Sequence, residues 1–326
     1  MPRLPPSLLQ RARSISPDLA TLLPACRDLE SARSELRWIR EHVFASASSS
    51  QQVVSPRSAE TQAAEKERIH HRHERNKVAV TSLCRRRARG EPLQYLLGTQ
   101  PFGPLEIQCR RGVLIPRPET ESWTYALGSE VVRRLSPSSS ASSATGPDGQ
   151  KKDMRETQEG KRSLRIVDFC TGTGCIPLLL YTLLRRRFHL QVWGFDVEER
   201  AVRLARENLR SNVAKGLMPA ASLARPSEHL STPEKGSGSL VRFEQAEIFA
   251  DDWIQSLLLL QQQQDEKNNV VDVLVSNPLT SPRKALAATR AARCGTSSRG
   301  SRWCRILGTS RRLAHPRTCS TSVSVR

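Results

Sequence analysis

Four short stretches carry residues whose type and spacing could do chemistry. The first is Asp168 followed by Thr171-Gly172-Thr173-Gly174, an acid closing an apolar run with a glycine-rich turn behind it. Glycines at a strand-to-helix turn let backbone N–H groups and a ligand approach with no Cβ in the way. The ligand then sits at the carboxyl edge of a sheet, near a helix N-terminus. The second is Asp196, carried by the run Leu190 to Val197; a carboxylate there can accept two hydrogen bonds from ribose hydroxyls. The third is Glu247 within Gln245-Ala246-Glu247-Ile248-Phe249. The fourth is Asn277-Pro278, closing the run Val270 to Ser276.

These residues point to a nucleotide-like cofactor. A dinucleotide would call for a third glycine in G-x-G-x-x-G. Gly174 is instead followed by Cys175-Ile176-Pro177, and an acid ends the strand. Asp196 suits either kind of cofactor. The bland readings are a tight turn without a ligand at Gly172 and an ordinary turn after a strand at Asn277-Pro278. No metal site is expected. His70, His71 and His73 lie among arginines and read as a solvated helix face.

The elements that must position these residues follow from hydrophobic period. Leu164–Phe169, Leu190–Val197, Leu240–Ile248 and Val270–Ser276 read as buried strands. Ile176–Leu184 and Glu199–Asn212 read as the helices between them. Alternating strands and helices define an α/β class, a doubly wound Rossmann-like sheet. Upstream, Arg27–Phe44 is amphipathic and Glu60–Arg89 is a second, charged helical region ended by Gly90. Gly90 to Glu121 reads as extended structure and turns, and 122–134 as helix. Ser136 to Lys161 and Met218 to Ser239 are low-complexity polar insertions confined to connections.

The chain has 326 residues, with 51 Lys+Arg against 32 Asp+Glu and a formal net charge of +19. That balance suggests a nucleic-acid binder, but its distribution argues otherwise. Residues 280–326 hold eleven of the basic residues and no acid, which leaves +8 on the first 279. The eight cysteines form no C-x-x-C pair or zinc spacing, so free thiols in a reducing compartment are expected. No apolar run approaches the ~20 residues of a membrane span. Arg3, Arg11 and Arg13 among serines, with no acid before Pro17, are consistent with an organellar transit segment or with a plain polar start.

Three stretches narrow the family. They are Glu91-Pro92-Leu93-Gln94-Tyr95-Leu96-Leu97-Gly98 leading to Ile115-Pro116-Arg117-Pro118-Glu119-Thr120-Glu121, then Gln245–Phe249, then Val271–Pro278. With the glycine loop they resemble the HemK/PrmC family, the protein-(glutamine-N5) methyltransferases of peptide chain release factors. The likeness runs from about Leu22 to Pro278.

The resemblance implies a Rossmann-like methyltransferase sheet with a small N-terminal helical domain that helps dock the release factor. The cofactor would be S-adenosyl-L-methionine. Asp168, Thr171, Gly172, Thr173 and Gly174 would hold its methionine end. Asp196 would hold the ribose, and Glu247 would lie near the adenine. Asn277 and the backbone of Pro278 would bind the substrate amide, with Arg117 and Glu119 lining the site. The protein would act as a monomer in mitochondria, the alternative being the cytoplasm. Its partner would be a release factor, with no membrane and no nucleic acid required.

The expected organisation is 1–21 transit segment, 22–90 helical domain and 91–135 connecting segment. After these come 136–163 disordered insertion, 164–279 partial methyltransferase domain and 280–326 basic unstructured tail. The family motif would continue Asn-Pro-Pro-Tyr; here it reads Asn277-Pro278-Leu279-Thr280. The sheet is therefore expected to be truncated after its fourth strand, leaving an unpaired edge. The abrupt change after Pro278 suggests a shifted reading frame or a mis-joined exon, the alternative being a basic tail that grips RNA. Rival functions are a nucleic-acid N6-adenine methyltransferase and a non-catalytic remnant.

Overall fold

The structure is a computed structural model that describes residues 4–48, 59–135, 161–220, 240–247, 271–277 and 322–325. The chain divides into two compact units, 1–99 and 100–326.

The first unit is helical. Its helices are α1 (Pro6–Ile15), α2 (Pro17–Cys26), α3 (Leu29–Ser48), α4 (Ala59–Ala88) and the short α5 (Leu93–Leu97). Proline at the first position of α1 and of α2 presets φ where no intrahelical N–H bond is needed. Asp28 caps α3 by accepting the Ser31 N–H at 2.8 Å. The core gathers Ala12, Leu19, Leu22, Leu23, Ala32, Leu36, Ile39, Val43, Val80, Cys84 and Leu93. Within 1–21, where a transit segment is possible from sequence, α1 and the start of α2 put Ala12 and Leu19 into this core. The helical unit also reaches forward past Gly90. Leu93 and Leu96 are buried on α5, in a stretch expected to be extended.

Arg87 and Glu35 form a forked ion pair inside this unit, at 2.8 and 3.1 Å, with both side chains largely buried. Burial, and after it Glu35, push the Cys26 thiol up to about 12. A half-desolvated fork lies between surface and fully buried pairs in strength. Glu35→Ala should cost about 2 kcal/mol, read by urea unfolding of the helical unit. A loss of less than about 0.5 kcal/mol would show the fork to be an ordinary surface pair.

The second unit opens with a two-stranded sheet, β1 (Thr99–Phe102) and β2 (Leu105–Gln108), followed by α6 (Pro118–Leu135). The α/β series is β3 (Ser163–Phe169), α7 (Cys175–Leu184), β4 (His189–Asp196), α8 (Glu199–Ala214), β5 (Leu240–Gln245) and β6 (Val273–Ser276). These elements lie within two or three residues of the expected ones. The sheet order is β5-β4-β3-β6-β7, the first four strands being parallel.

The four parallel strands are the ones expected, and a short fifth strand, β7 (Ser322–Val325), lies beside the last of them. It pairs antiparallel with β6, Val273 opposite Val325 and Ser276 opposite Ser322. The fourth parallel strand is therefore not an open edge, and residues 322–325 of the tail are not unstructured. The local reason is legible: Ser-Val-Ser-Val alternates with period two, and a parallel edge offers a row of unpaired backbone groups. The rest of 279–321 lies outside the described residues, as do 136–160, 221–239 and 248–270.

The main core lies on one face of the sheet. It joins Leu164, Ile166, Leu190, Val192, Val241, Val273 and Val275 to α6, α7, α8 and the β1–β2 pair. The alternate strand residues Val167, Phe169, Trp193 and Phe195 form a second cluster on the other face. Burial on both faces is why apolar residues occur at both alternating sets of positions in β3 and β4. Met218, placed in the polar insertion from sequence, is buried in the main core, so the α8 connection stays packed that far.

Candidate functional site

Register brings the four stretches together. Asp168 pairs with Gly194, Phe169 with both Phe195 and Ser276, and Asp196 with Gln245. The glycine loop, Asp196, Glu247 and Asn277 therefore lie at one edge of the sheet, past the carboxyl ends of β3, β4, β5 and β6. In a doubly wound sheet this is where ligands bind.

The loop is held by backbone and carboxylate. Thr171 N–H donates to Phe195 O at 3.0 Å, and Gly174 N–H to Thr171 O at 2.9 Å. Asp196 accepts the Gly172 N–H at 2.9 Å through one oxygen and the Glu198 N–H at 3.0 Å through the other. Its remaining lone pairs leave room for further donors. Gly172 and Gly174 both have positive φ, +57° and +78°. At Gly174 a Cβ would meet Phe243 at 2.8 Å and Ala205 at 3.0 Å, whereas at Gly172 the nearest atom would be Val113 at 4.0 Å. One glycine is required by packing, whereas at the other a Cβ would meet Val113 only in ordinary contact.

Asp168 is the anomaly. Its carboxyl is fully buried, and neither oxygen has a hydrogen-bond partner; the Thr171 hydroxyl beside it is buried and unpartnered too. Burial pushes the Asp168 carboxyl up to about 8. Thr171, near but outside hydrogen-bond geometry, offsets part of that rise, and the Asp196 charge adds to it. Buried polar groups in native proteins are almost always satisfied, and the exceptions call for an explanation.

Cys170 marks the centre of the edge. It takes φ +60°, the left-handed region that side chains rarely adopt. Burial, then Asp196 and Asp168, raise its thiol to about 11; the Ser276 hydroxyl opposes this and Glu247 adds to it. One side chain thus feels groups from the ends of β3, β4, β5 and β6.

Arg117 and Glu119 behave differently. Arg117 precedes α6 and its carbonyl accepts the N–H groups of Thr120 and Glu121, while both side chains stand exposed. What approaches the loop from this segment is Val113, which packs on Ala201 and Leu204 of α8. Pro278 lies outside the described residues. Asn277 is half-buried, directly after the Ser276 that pairs with Phe169.

Three residues of the site escaped the sequence reading. Gly194 gives up its side chain to Phe243 and to the Thr171 hydroxyl, 2.6 and 2.7 Å from where its Cβ would stand. Asn208 and Asn212 are fully buried on α8. The only available signal was their spacing of four on a helix, with Asn208 at a position the apolar stripe should occupy.

The sequence has relatives among curated proteins. It is 33% identical over 216 residues to the mitochondrial MRF1 N(5)-glutamine methyltransferase MTQ1 of Saccharomyces cerevisiae, an overlap of 66% of this chain and 51% of that one. It is 35% identical over 137 residues to the probable MRF1 mitochondrial N(5)-glutamine methyltransferase of Schizosaccharomyces pombe, covering 42% of this chain and 36% of that one. It is also 35% identical over 139 residues to the release factor glutamine methyltransferase of Thermodesulfovibrio yellowstonii, covering 43% and 40%. These relatives agree with the HemK/PrmC resemblance. The chain spans about half the length of the first and about two fifths of the others. No family model matches it.

Two outcomes follow from this geometry. The ordinary value for the Asp168 carboxyl is 3.8 and the folded value is about 8. The unfolded chain therefore gives up this proton before the folded one, and folding stability falls as pH rises between those values. The fall is about 1.4 kcal/mol per pH unit for one proton. Asp168→Asn has no such proton, so urea unfolding from pH 5 to 8 should show a shallower decline in the variant; parallel declines would contradict the burial argument. Separately, Gly194→Ala should cost about 2 kcal/mol, because Phe243 and Thr171 must both give way. A thermal midpoint unchanged from wild type would show the contact to be soft.

Proposed function

We propose that the chain is an S-adenosyl-L-methionine-dependent methyltransferase that acts on the glutamine side chain in the Gly-Gly-Gln loop of a peptide chain release factor. The observation that carries this reading is the convergence of Asn277 and the Asp168–Gly174 loop at one sheet edge, the loop beginning with a buried carboxyl that has no hydrogen-bond partner. The names of the relatives support the substrate class, and the word mitochondrial in two of them supports that setting.

The residues present fit such a cofactor. Its amino-acid end carries an ammonium, and Asp168 and Thr171 are the groups that lack a partner. Gly172 leaves space beside them. Asp196 keeps acceptor capacity for ribose hydroxyls, and Glu247 stands exposed at the far end. When bound, the cofactor supplies a methyl group on a positively charged sulfur, activated for in-line displacement.

The chain's own task is positioning. An amide nitrogen is a poor nucleophile because its lone pair is delocalised into the carbonyl. Rate must come from holding the NH₂ at near-attack distance, about 3 Å from the methyl carbon. Asn277 accepts one amide hydrogen through its side-chain oxygen and fixes the direction of the lone pair. Pro278, the other proposed contact, supplies a carbonyl. The release factor is the macromolecular partner, and the enzyme works as a monomer.

The test is mass spectrometry of a release factor incubated with the chain and S-adenosyl-L-methionine. One methyl group on the glutamine is expected. Asn277→Ala should cut the transfer rate by about a hundredfold while leaving cofactor affinity within about twofold. Methyl transfer to DNA or RNA and not to the release factor would overturn the substrate, and undiminished transfer by Asn277→Ala would overturn the placement of the amide.

A further inference from the structure

Asn208 and Asn212 sit one turn apart on α8, and both are fully buried. Each behaves as a strand neighbour for β2. Asn212 accepts the Glu106 N–H at 3.0 Å and donates to the Glu106 carbonyl at 3.0 Å. Asn208 accepts the Gln108 N–H at 2.6 Å and donates to the Gln108 carbonyl at 3.4 Å. An amide side chain has one acceptor and one two-proton donor, so it can copy the pattern of a peptide group. In this way α8 completes the hydrogen bonding of a strand that would otherwise face a helix with unpaired groups.

The two differ in the second proton. Asn212 donates it to the carbonyl of Asn208, within its own helix, at 2.8 Å. Asn208 donates to the carbonyl of Thr173, in the glycine loop, at 2.9 Å. Asn208 is thus a three-way junction between α8, β2 and the loop. Downstream of β2, Val113 packs on Ala201 and Leu204 of α8 and stands 4.0 Å from where a Cβ of Gly172 would be. The segment that leads into Arg117 and the loop that follows Asp168 are referenced to the same helix.

We propose that Asn208 is a positioning residue: its side-chain amide locks the glycine loop to β2, so that the loop and the segment entering α6 hold one geometry toward the ligand. This rests on the loop being the cofactor site. Asn208 touches neither ligand nor reacting atoms. It acts through the Thr173 carbonyl, whose orientation fixes the peptide planes of Gly172 to Gly174. A buried carbonyl left without its donor costs about 1–3 kcal/mol, enough to let the loop leave that geometry.

Asn212 is the built-in control, since Asn208→Ala and Asn212→Ala both strip a clasp from β2 and only the first frees the loop. The experiment compares the two variants of the full chain by amide hydrogen exchange over 170–175 and by calorimetric titration with S-adenosylhomocysteine. Asn208→Ala should speed exchange in the loop and weaken binding about tenfold, the equivalent of one lost buried hydrogen bond. Asn212→Ala should lower the thermal midpoint similarly and keep loop exchange and affinity within about twofold of wild type. If Asn208→Ala does not fold, Asn208→Asp keeps an acceptor for Gln108 and sets an oxygen against the Thr173 carbonyl, and the same loosening is expected. Equal effects from the two positions, or an unmoved loop in the Asn208 variants, would overturn the proposal. Should the wild type take up no S-adenosylhomocysteine, the function proposed above fails, and the exchange comparison alone decides the clamp.

Discussion

The carboxylate of Asp196 is the interaction on which the rest of this site depends. One oxygen takes the N–H of Gly172 and the other the N–H of Glu198, while the residue's own carbonyl takes the N–H of Ala246. A single position therefore ties together the turn into α7, the turn into α8 and the end of β5. Charge-assisted bonds to backbone N–H groups are among the stronger ones available to a protein. A turn with glycines at φ +57° and +78° has many other shapes open to it, and these bonds select one.

Against that well-satisfied residue stands Asp168, twenty-eight positions earlier and at the same sheet edge. The same burial that stabilises Val167 and Phe169 around it costs a carboxyl its solvent and gives it nothing in return. Places where local rules are broken in an otherwise consistent fold tend to be functional. A cationic ligand group would relieve the cost, which links the stability of the empty loop to its capacity to bind. The left-handed Cys170 next to it is a second such departure, held in place by strand pairing on either side.

Much of this architecture was legible in the sequence because it rests on local signals. The apolar runs at Leu164 and Leu190 read as buried parallel strands, and the Thr171–Gly174 turn between a strand and a helix pointed to where a ligand would lie. What escaped depends on distant partners. Asn208 reads as a polar residue out of phase on α8 until Gln108, a hundred positions away, is seen beside it. Gly194 reads as a weak spot in a strand until Phe243 fills the space. The strand Ser322–Val325 was hidden by the composition of the basic tail that precedes it. Before Leu22 the helical period is short and interrupted by Arg11, Arg13 and Pro17, so the buried Ala12 and Leu19 do not stand out.

The central claim is that the loop pinned by Asp196 is a cofactor site. Calorimetric titration of the whole chain with S-adenosyl-L-methionine tests it most directly, with Asp196→Ala titrated alongside and its fold checked by circular dichroism. The account predicts saturable one-to-one binding to the wild type and loss of that binding in a folded Asp196→Ala. Absence of binding to the wild type, or equal binding to both, would contradict it.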